Sequence, residues 1–226
     1  MVIGNRGDRN GMATTFLIDG PEDAAVTVLL AHGAGAPMDS ASMSAAAKAL
    51  VAEGFRVVRF EFAYMAARRS DEGRKPPPKA ENLMGEYLAA VDQLAPNGGH
   101  LVIGGKSMGG RVASMVADEL FAAGRISGLL CLGYPFHPPG KLEQLRTAHL
   151  KGLRAPALIV QGTRDEFGTQ EEVPGYDLSS AIELLWLEDG DHDLKPRKTI
   201  SGFSVADHLQ SMAKAVSEWA ARTVDQ

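Results

Sequence analysis

The feature that most constrains this chain of 226 residues is a regular alternation of short apolar segments with longer segments of helical pattern. Between the apolar runs, apolar residues recur at the i, i+3, i+4 spacing of one buried helix face. Seven runs have the length and compact apolar character of buried strands: 14–18, 26–31, 56–62, 101–103, 128–132, 157–161 and 182–187. This alternation predicts an α/β fold, in which helices cover both faces of a mostly parallel sheet.

Length and composition narrow the class of protein further. A chain of this size can bury a substantial core as one domain, so we predict a single domain over 13–226 after a polar, glycine-rich leader at 1–12. The net charge of -5 argues against general nucleic-acid binding. Cys131 is the one cysteine, and no segment is typical of a membrane span or an export signal. We therefore expect a cytoplasmic protein with neither a nucleic-acid nor a membrane partner.

Ser107 is the predicted nucleophile, because 105–109 matches G-x-S-x-G directly after an apolar run. A strand that turns at once into a helix packs the serine so tightly that only glycine fits two residues to either side, where Gly105 and Gly109 stand. The alternative is an ordinary glycine-rich turn, since such a pentapeptide also occurs by chance. A phosphate-binding loop is rejected, because the first glycine of that motif would have to stand at His100.

A serine nucleophile of this type needs an acid and a base, which follow it along the chain in that order. Asp165 stands just past the strand run at 157–161, with Glu166 as its close competitor. His192 follows the run at 182–187 and is the predicted base. A metal site at the Asp-His-Asp triplet 191–193 is disfavoured, because neighbouring side chains converge poorly on one ion.

The other histidines fit the role of base less well. His137 and His149 lie after the strand run at 128–132, where they could touch substrate but have no matching acid. His208 belongs to a helical pattern, and His100 opens a strand at the end away from the serine. Position alone therefore favours His192 among the six histidines.

An H-G-x-G segment at 32–35 follows the strand run at 26–31 and predicts an oxyanion hole. Small residues there let the backbone approach a substrate closely, so the backbone amides of Ala34 and Met108 are the predicted donors. Alone, this segment is equally typical of a plain strand-to-helix turn. The joint pattern decides for catalysis, since four sites each follow a predicted strand in the expected order.

Two further loops, 63–69 and 133–139, emerge at the same predicted sheet edge and are expected to shape specificity. The residues predicted to contact substrate are small, aromatic or basic: Gly35, Tyr64, Arg68, Arg69, Tyr134, Phe136 and His137. A basic stretch continues from Arg68 through Arg74, Lys75 and Lys79. It is either a solvated loop or an attraction site for an anionic substrate group.

These motifs together resemble the α/β-hydrolase superfamily, in particular small, nearly lidless serine hydrolases similar to dienelactone hydrolase. The segments 32–36, 104–111 and 161–165 also resemble the group of the testis-expressed 30 and KAT8 regulatory complex subunit 3 proteins. The resemblance implies a catalytic triad of Ser107, Asp165 and His192. Dienelactone hydrolases proper carry a cysteine as nucleophile, so the resemblance does not extend to their substrate.

The sequence therefore predicts a serine hydrolase that cleaves small ester or related acyl substrates through an acyl-enzyme, without a metal or an organic cofactor. The short connection 133–156, with a helix expected over 141–150, leaves little chain for a cap, so short acyl groups are expected. The alternative is an interaction module that kept the fold without turnover.

Overall fold

The computed structural model describes residues 2–3, 14–70, 76–94 and 99–224. Arg74 and Lys75 of the basic stretch lie outside the described residues, as does the predicted leader apart from Val2–Ile3. The domain boundary at residue 13 stays a prediction.

The described residues form one eight-stranded sheet whose spatial order is β1-β2-β4-β3-β5-β6-β7-β8. Strands β3 to β8 pair in parallel, and β1 and β2 add an antiparallel edge. The strands are β1 (Val2–Ile3), β2 (Phe16–Asp19), β3 (Val26–Ala31), β4 (Arg56–Phe60), β5 (His100–Lys106), β6 (Gly128–Leu132), β7 (Ala157–Gly162) and β8 (Ile182–Leu187). The predicted α/β architecture is confirmed, and each of the seven predicted strands overlaps one of β2 to β8.

Helices cover both faces of the sheet. They are α1 (Ala41–Ala52), α2 (Ala63–Ala67), α3 (Met84–Gln93), α4 (Met108–Ala122), α5 (Lys198–Ser201) and α6 (Val205–Val224), with 3-10 turns at Arg68–Ser70, Ala80–Leu83 and Val173–Gly175. Helices α1 and α6 pack on one face, and α3 and α4 pack on the other. Among the described helices, none combines the length and the apolar character needed to cross a membrane.

The sheet separates the core into two layers, and its pleat directs successive side chains of a strand into one layer or the other. In β3, Val28 and Leu30 face the layer of α1 and α6, whereas Leu29 and Ala31 face the layer of α3 and α4. Because both faces are covered, successive residues of a central strand are buried on opposite sides, which is why these strands read as mostly apolar runs.

The connection from β6 to β7 differs from the expectation, because 141–150 forms turns instead of a helix. The backbone of Arg146 bonds back to the start of the connection: its N–H donates to the Phe136 carbonyl and its carbonyl accepts from the Tyr134 hydroxyl. These bonds replace the i to i−4 pattern of a helix. Leu142 and Leu145 are consequently exposed, at 52% and 45%. The connection carries no cap domain.

The layer of α1 and α6 gives a direct test of where stability lies. Leu50 is fully buried there, so Leu50→Ala should lower the free energy of unfolding by about 2–5 kcal/mol through lost burial and a residual cavity. The matched variant Leu142→Ala, in the exposed connection, should change it by less than about 0.5 kcal/mol. Urea unfolding of both variants measures the difference. Equal losses would contradict the assigned layers.

Candidate active site

Ser107 stands between β5 and α4 in a backbone conformation that is unusual for serine, with φ 51° and ψ -116°. A methyl group on Gly105 would come within 2.5 Å of the Ala31 carbonyl oxygen, and one on Gly109 would overlap the same carbonyl. The amide of Ser107 donates to the Leu132 carbonyl at 3.0 Å. The turn at Ser107 is thus packed between β3 and β6, and the close contacts with β3 explain both glycines.

Three predicted side chains meet at this turn in one hydrogen-bonded chain. His192 Nε2 lies 2.8 Å from Ser107 Oγ, and His192 Nδ1 lies 2.8 and 3.0 Å from the two carboxylate oxygens of Asp165. Because a carboxylate only accepts, Nδ1 carries the proton, and Nε2 is left as the acceptor for the Ser107 hydroxyl. This is the arrangement in which an imidazole can remove a proton from serine.

Asp165, rather than Glu166, faces the imidazole. Asp165 is fully buried, whereas Glu166 is exposed. The Asp165 carboxylate also accepts hydrogen bonds from the Phe167 amide at 2.9 Å and from the Gln161 side-chain amide at 2.8 Å. These donors satisfy a buried carboxylate that would otherwise be costly to desolvate.

Gln161 and Phe167 also belong to the site, although the sequence analysis does not identify them as site residues. The buried Gln161 side chain accepts from the Tyr134 amide and donates to Asp165, so it joins the ends of β6 and β7. Its signal was a polar residue inside an otherwise apolar strand run. The Phe167 ring lies 4.1 Å from the His192 ring, centroid to centroid, and covers one face of the imidazole. No sequence pattern indicates that contact.

The loop that carries His192 is held by ionic and backbone contacts. Arg197 binds the Asp189 carboxylate through its side chain and its amide, and these bonds lower the pKa of Asp189 to about 2. Arg164 Nε donates to the Asp189 carbonyl at 2.8 Å, which ties this loop to the loop after β7. Asp189 and Leu194 both adopt a positive φ, at 55° and 61°. The surrounding bonds hold these uncommon conformations in place.

The carboxylate of Asp191 is engaged within the same loop. One of its oxygens accepts from the amides of Asp193 and Lys195, each at 2.9 Å. Among the residues that the structure describes, no three metal-ligating side chains converge on a common point. Asp191 therefore shapes the turn around His192.

The predicted oxyanion loop lies over the nucleophile. A methyl group on Gly33 would stand 3.7 Å from the Ser107 Cβ, so the backbone of this loop closely approaches the serine. Met108 opens α4, and an amide in the first turn of a helix has no partner within the helix. The Ala34 carbonyl accepts from the Tyr64 hydroxyl at 3.1 Å, which holds the loop from the far side.

His32 anchors the base of the oxyanion loop. Its Nδ1 lies 2.6 Å from the Gly33 carbonyl, and its Nε2 lies 3.2 Å from the Phe62 amide. An amide N–H only donates, so Nε2 is the acceptor and Nδ1 carries the proton of a neutral ring. Burial of His32 lowers its pKa, which keeps the ring in that state.

The first specificity loop lies beside the oxyanion loop. Tyr64 is partly buried, and desolvation raises its pKa to about 12, so it remains a hydroxyl donor. Arg68 lies over the Tyr64 ring at 5.2 Å. Arg69 binds the carboxylates of Asp39 and Glu61, which compensate its charge. Gly35 is exposed, with open space where a side chain would begin.

The second specificity loop requires a correction. Tyr134, Phe136 and His137 are at most 1% exposed, so they pack beneath the surface and cannot contact a substrate in this conformation. The expectation that His137 lacks an acid is also wrong, because its Nε2 lies 3.3 Å from Glu172. The sequence predicted a surface loop, but this segment packs into the core through ring contacts such as that of Tyr134 with Phe136. These residues support the site from below.

Known proteins share the fold of this chain. A family model described as alpha/beta hydrolase domain matches residues 24–221. Three solved structures share the fold. One is an alpha-beta serine hydrolase homologue from Coxiella burnetii, with a TM-score of 0.68, 18% identity and coverage of 96% of both chains. A second is a dienelactone hydrolase from Anabaena variabilis, with a TM-score of 0.72, 17% identity and coverage of 99% of this chain and 98% of that one.

The third is a serine hydrolase described as lacking a lid, from Xanthomonas campestris. It matches with a TM-score of 0.65 and 19% identity over 95% of this chain and 91% of that chain. At such identities these likenesses show the fold alone. The narrower resemblance to the testis-expressed 30 and KAT8 regulatory complex subunit 3 group stays a prediction.

The buried neutral His32 predicts a pH effect on stability. As the pH falls below about 6.5, the unfolded chain gains a proton on His32 that the folded protein resists, so the free energy of unfolding falls with pH. His32→Gln cannot titrate in this range and should depend less steeply on pH between about 7.5 and 5.5. Urea unfolding across that range measures the slopes, with His100→Gln, at an exposed histidine, as control. A slope unchanged in His32→Gln would contradict the assignment.

Proposed function

Because the chain belongs to the alpha/beta hydrolase domain family, we propose that it is a serine hydrolase of small esters or related acyl compounds. The observation that carries the proposal is the hydrogen-bonded chain from Ser107 through His192 to Asp165. The strained backbone of Ser107 adds support. Conformations of this kind cost about 1–3 kcal/mol, and an interaction module would have no need to keep one.

In the first half of the reaction, Ser107 Oγ attacks the carbonyl carbon of the ester while His192 Nε2 takes the hydroxyl proton. The Asp165 carboxylate stabilises the imidazolium that forms and keeps Nδ1 protonated. The tetrahedral intermediate collapses when the bond from carbon to the leaving oxygen breaks. His192 then gives its proton to that oxygen, and the acyl group stays on Ser107.

Negative charge develops on the former carbonyl oxygen during this step. The backbone amides of Met108 and Ala34 are the proposed donors to it, one at the start of α4 and one in the loop over Ser107. The bond from the Tyr64 hydroxyl to the Ala34 carbonyl stiffens that loop, so its amide is oriented before the substrate arrives.

In the second half, a water molecule attacks the acyl carbon. His192 removes a proton from the water and returns it to Ser107 Oγ as the acid product leaves. The same three side chains serve both halves, and the proposed steps need no metal or organic cofactor. Water must therefore reach His192, and the partial exposure of its side chain, 20%, allows that access.

The short connection from β6 to β7 favours a small substrate. The connection 133–156 contributes turns and buried rings instead of a cap, so little apolar surface is offered to a long acyl chain. Selection of an anionic substrate by Arg69 gains no support, since Asp39 and Glu61 already compensate its charge. The cytoplasmic location and the lack of a nucleic-acid partner stay predictions from composition.

Replacement of the nucleophile tests the proposal directly. Ser107→Ala should abolish labelling by a fluorophosphonate probe and lower the turnover of p-nitrophenyl acetate by about a thousandfold or more, because the acyl-enzyme cannot form. Thermal melting of the variant controls for folding. Wild-type protein that neither reacts with the probe nor turns over any of a panel of short esters would instead favour the interaction module.

The acid is tested by a matched pair of neighbouring carboxylates. Asp165→Asn should lower kcat by about 10⁴-fold, because an amide at this position no longer enforces the productive tautomer of His192. Glu166→Gln, at an exposed position, should leave kcat within about twofold of wild type. Steady-state kinetics on p-nitrophenyl acetate compare the two. The opposite ranking would transfer the role of acid to Glu166.

A further inference from the structure

A buried lysine ammonium lies beside the proposed catalytic residues and has no part in the steps above. Lys106 directly precedes Ser107, and its side chain is only 11% exposed. Its Nζ donates to the backbone carbonyl of His192 at 2.5 Å, across 86 positions of sequence. It also lies 3.5 Å from a carboxylate oxygen of Asp193. One side chain thus connects the end of β5 to the loop that follows β8.

The geometry of β5 explains why Lys106 reaches this loop. Val102 of the same strand faces the layer of α1 and α6, and the pleat places Lys106, four residues on, at that face. Gly133 leaves the passage open. A methyl group there would stand 2.7 Å from the His192 carbonyl oxygen and 3.2 Å from Lys106 Nζ. Gly133 has a φ of 65°, so its backbone also favours glycine.

The surroundings of Lys106 are largely apolar, so a charged ammonium there costs desolvation free energy. A cleft beside the Lys106 side chain is lined by apolar side chains such as Met43, Leu132 and Leu194. Burial lowers the pKa of Lys106, against the attraction of Asp193. Asp193 is itself 48% exposed and shared with Lys195, so it compensates the buried charge only in part. A methionine of similar length would fill the space at lower cost, and packing alone therefore does not account for a lysine.

We propose that Lys106 is a positioning residue, whose ammonium holds the carbonyl of His192 and so sets the imidazole at hydrogen-bond distance from Ser107. The inference rests on the proposed function, since it gives His192 the role of base. Lys106 and Ser107 are consecutive, so the end of β5 positions both the nucleophile and the lysine that holds the His192 loop. Arg164 ties Asp189 of this loop to the loop after β7, and His208 of α6 lies 2.9 Å from the Leu194 carbonyl. Lys106 links the base to the nucleophile instead.

Lys106→Met tests the inference by removing the donor and the charge at similar volume. We expect kcat for p-nitrophenyl acetate to fall about 10- to 100-fold, because small displacements of a base from its nucleophile are costly, while KM stays within about twofold. The melting temperature should be unchanged or higher, because a buried charge is removed. Lys195→Met is the matched control, since it removes the exposed lysine that also pairs with Asp193, and kcat should stay within about twofold of wild type.

A second measurement follows the imidazole without turnover. The proton shared by His192 Nδ1 and Asp165 is expected to give a low-field proton NMR signal in wild type, in Ser107→Ala and in Lys195→Met. In Lys106→Met this signal should broaden or disappear, because the ring is no longer held in one position. An unchanged signal and an unchanged kcat would overturn the inference, as would a loss of kcat matched by a large drop in melting temperature.

Chemical rescue covers the case in which Lys106→Met does not fold. Lys106→Cys in a Cys131→Ala background can be alkylated with 2-bromoethylamine, which rebuilds a side chain of lysine length that ends in an ammonium. Alkylation should restore kcat to within about threefold of the Cys131→Ala parent, whereas alkylation by iodoethane, which adds the same two-carbon arm without a donor, should not. Equal restoration by both reagents would overturn the inference. If Ser107→Ala keeps full activity, the proposed function fails. If Ser107→Ala is inactive but Lys106→Met keeps the kcat of wild type, only the positioning role of Lys106 is rejected.

Discussion

The site depends on one steric constraint, the contact of the β3 backbone with the turn between β5 and α4. The Ala31 carbonyl leaves no room for a side chain at Gly105 or Gly109, and Ser107 between them takes a positive φ. That conformation lifts Ser107 Oγ above the sheet edge, toward the loops that supply the base and the oxyanion donors. Without this close packing the serine would be an ordinary residue at the start of a helix.

A second layer of order comes from buried polar groups that are satisfied by one another. The buried carboxylate of Asp165 is satisfied by the imidazole of His192, the amide of Phe167 and the side chain of Gln161. Gln161 belongs to β7, Phe167 to the loop after β7 and His192 to the loop after β8, so displacing any one removes a donor from the buried carboxylate. Lys106 is another such buried polar group, because its ammonium donates to the carbonyl of His192. Polar groups of this kind are costly in stability and give a defined geometry in return.

Most of the fold could be predicted because apolar periodicity is a local property of the chain. The strands over Val26–Ala31, Gly128–Leu132 and Ile182–Leu187 match the predicted ranges, since both faces of the sheet are covered and these segments are mostly apolar. The segment 141–150 shows the limit of this signal. Its leucines have helical spacing, but the backbone of Arg146 bonds to the start of the same connection, and that competing long-range bond is invisible to periodicity.

The sequence by itself determined the sheet, the turn at Ser107 and the order of serine, acid and histidine, because each depends on neighbours along the chain. Only the tertiary structure decided which partners meet. It put Asp165 rather than Glu166 against the imidazole, buried Phe136 beneath the surface and brought Lys106 to the backbone of His192. These outcomes depend on distances between strand ends that are far apart in sequence, and they are set when the two core layers pack. A local pattern carries no record of such contacts.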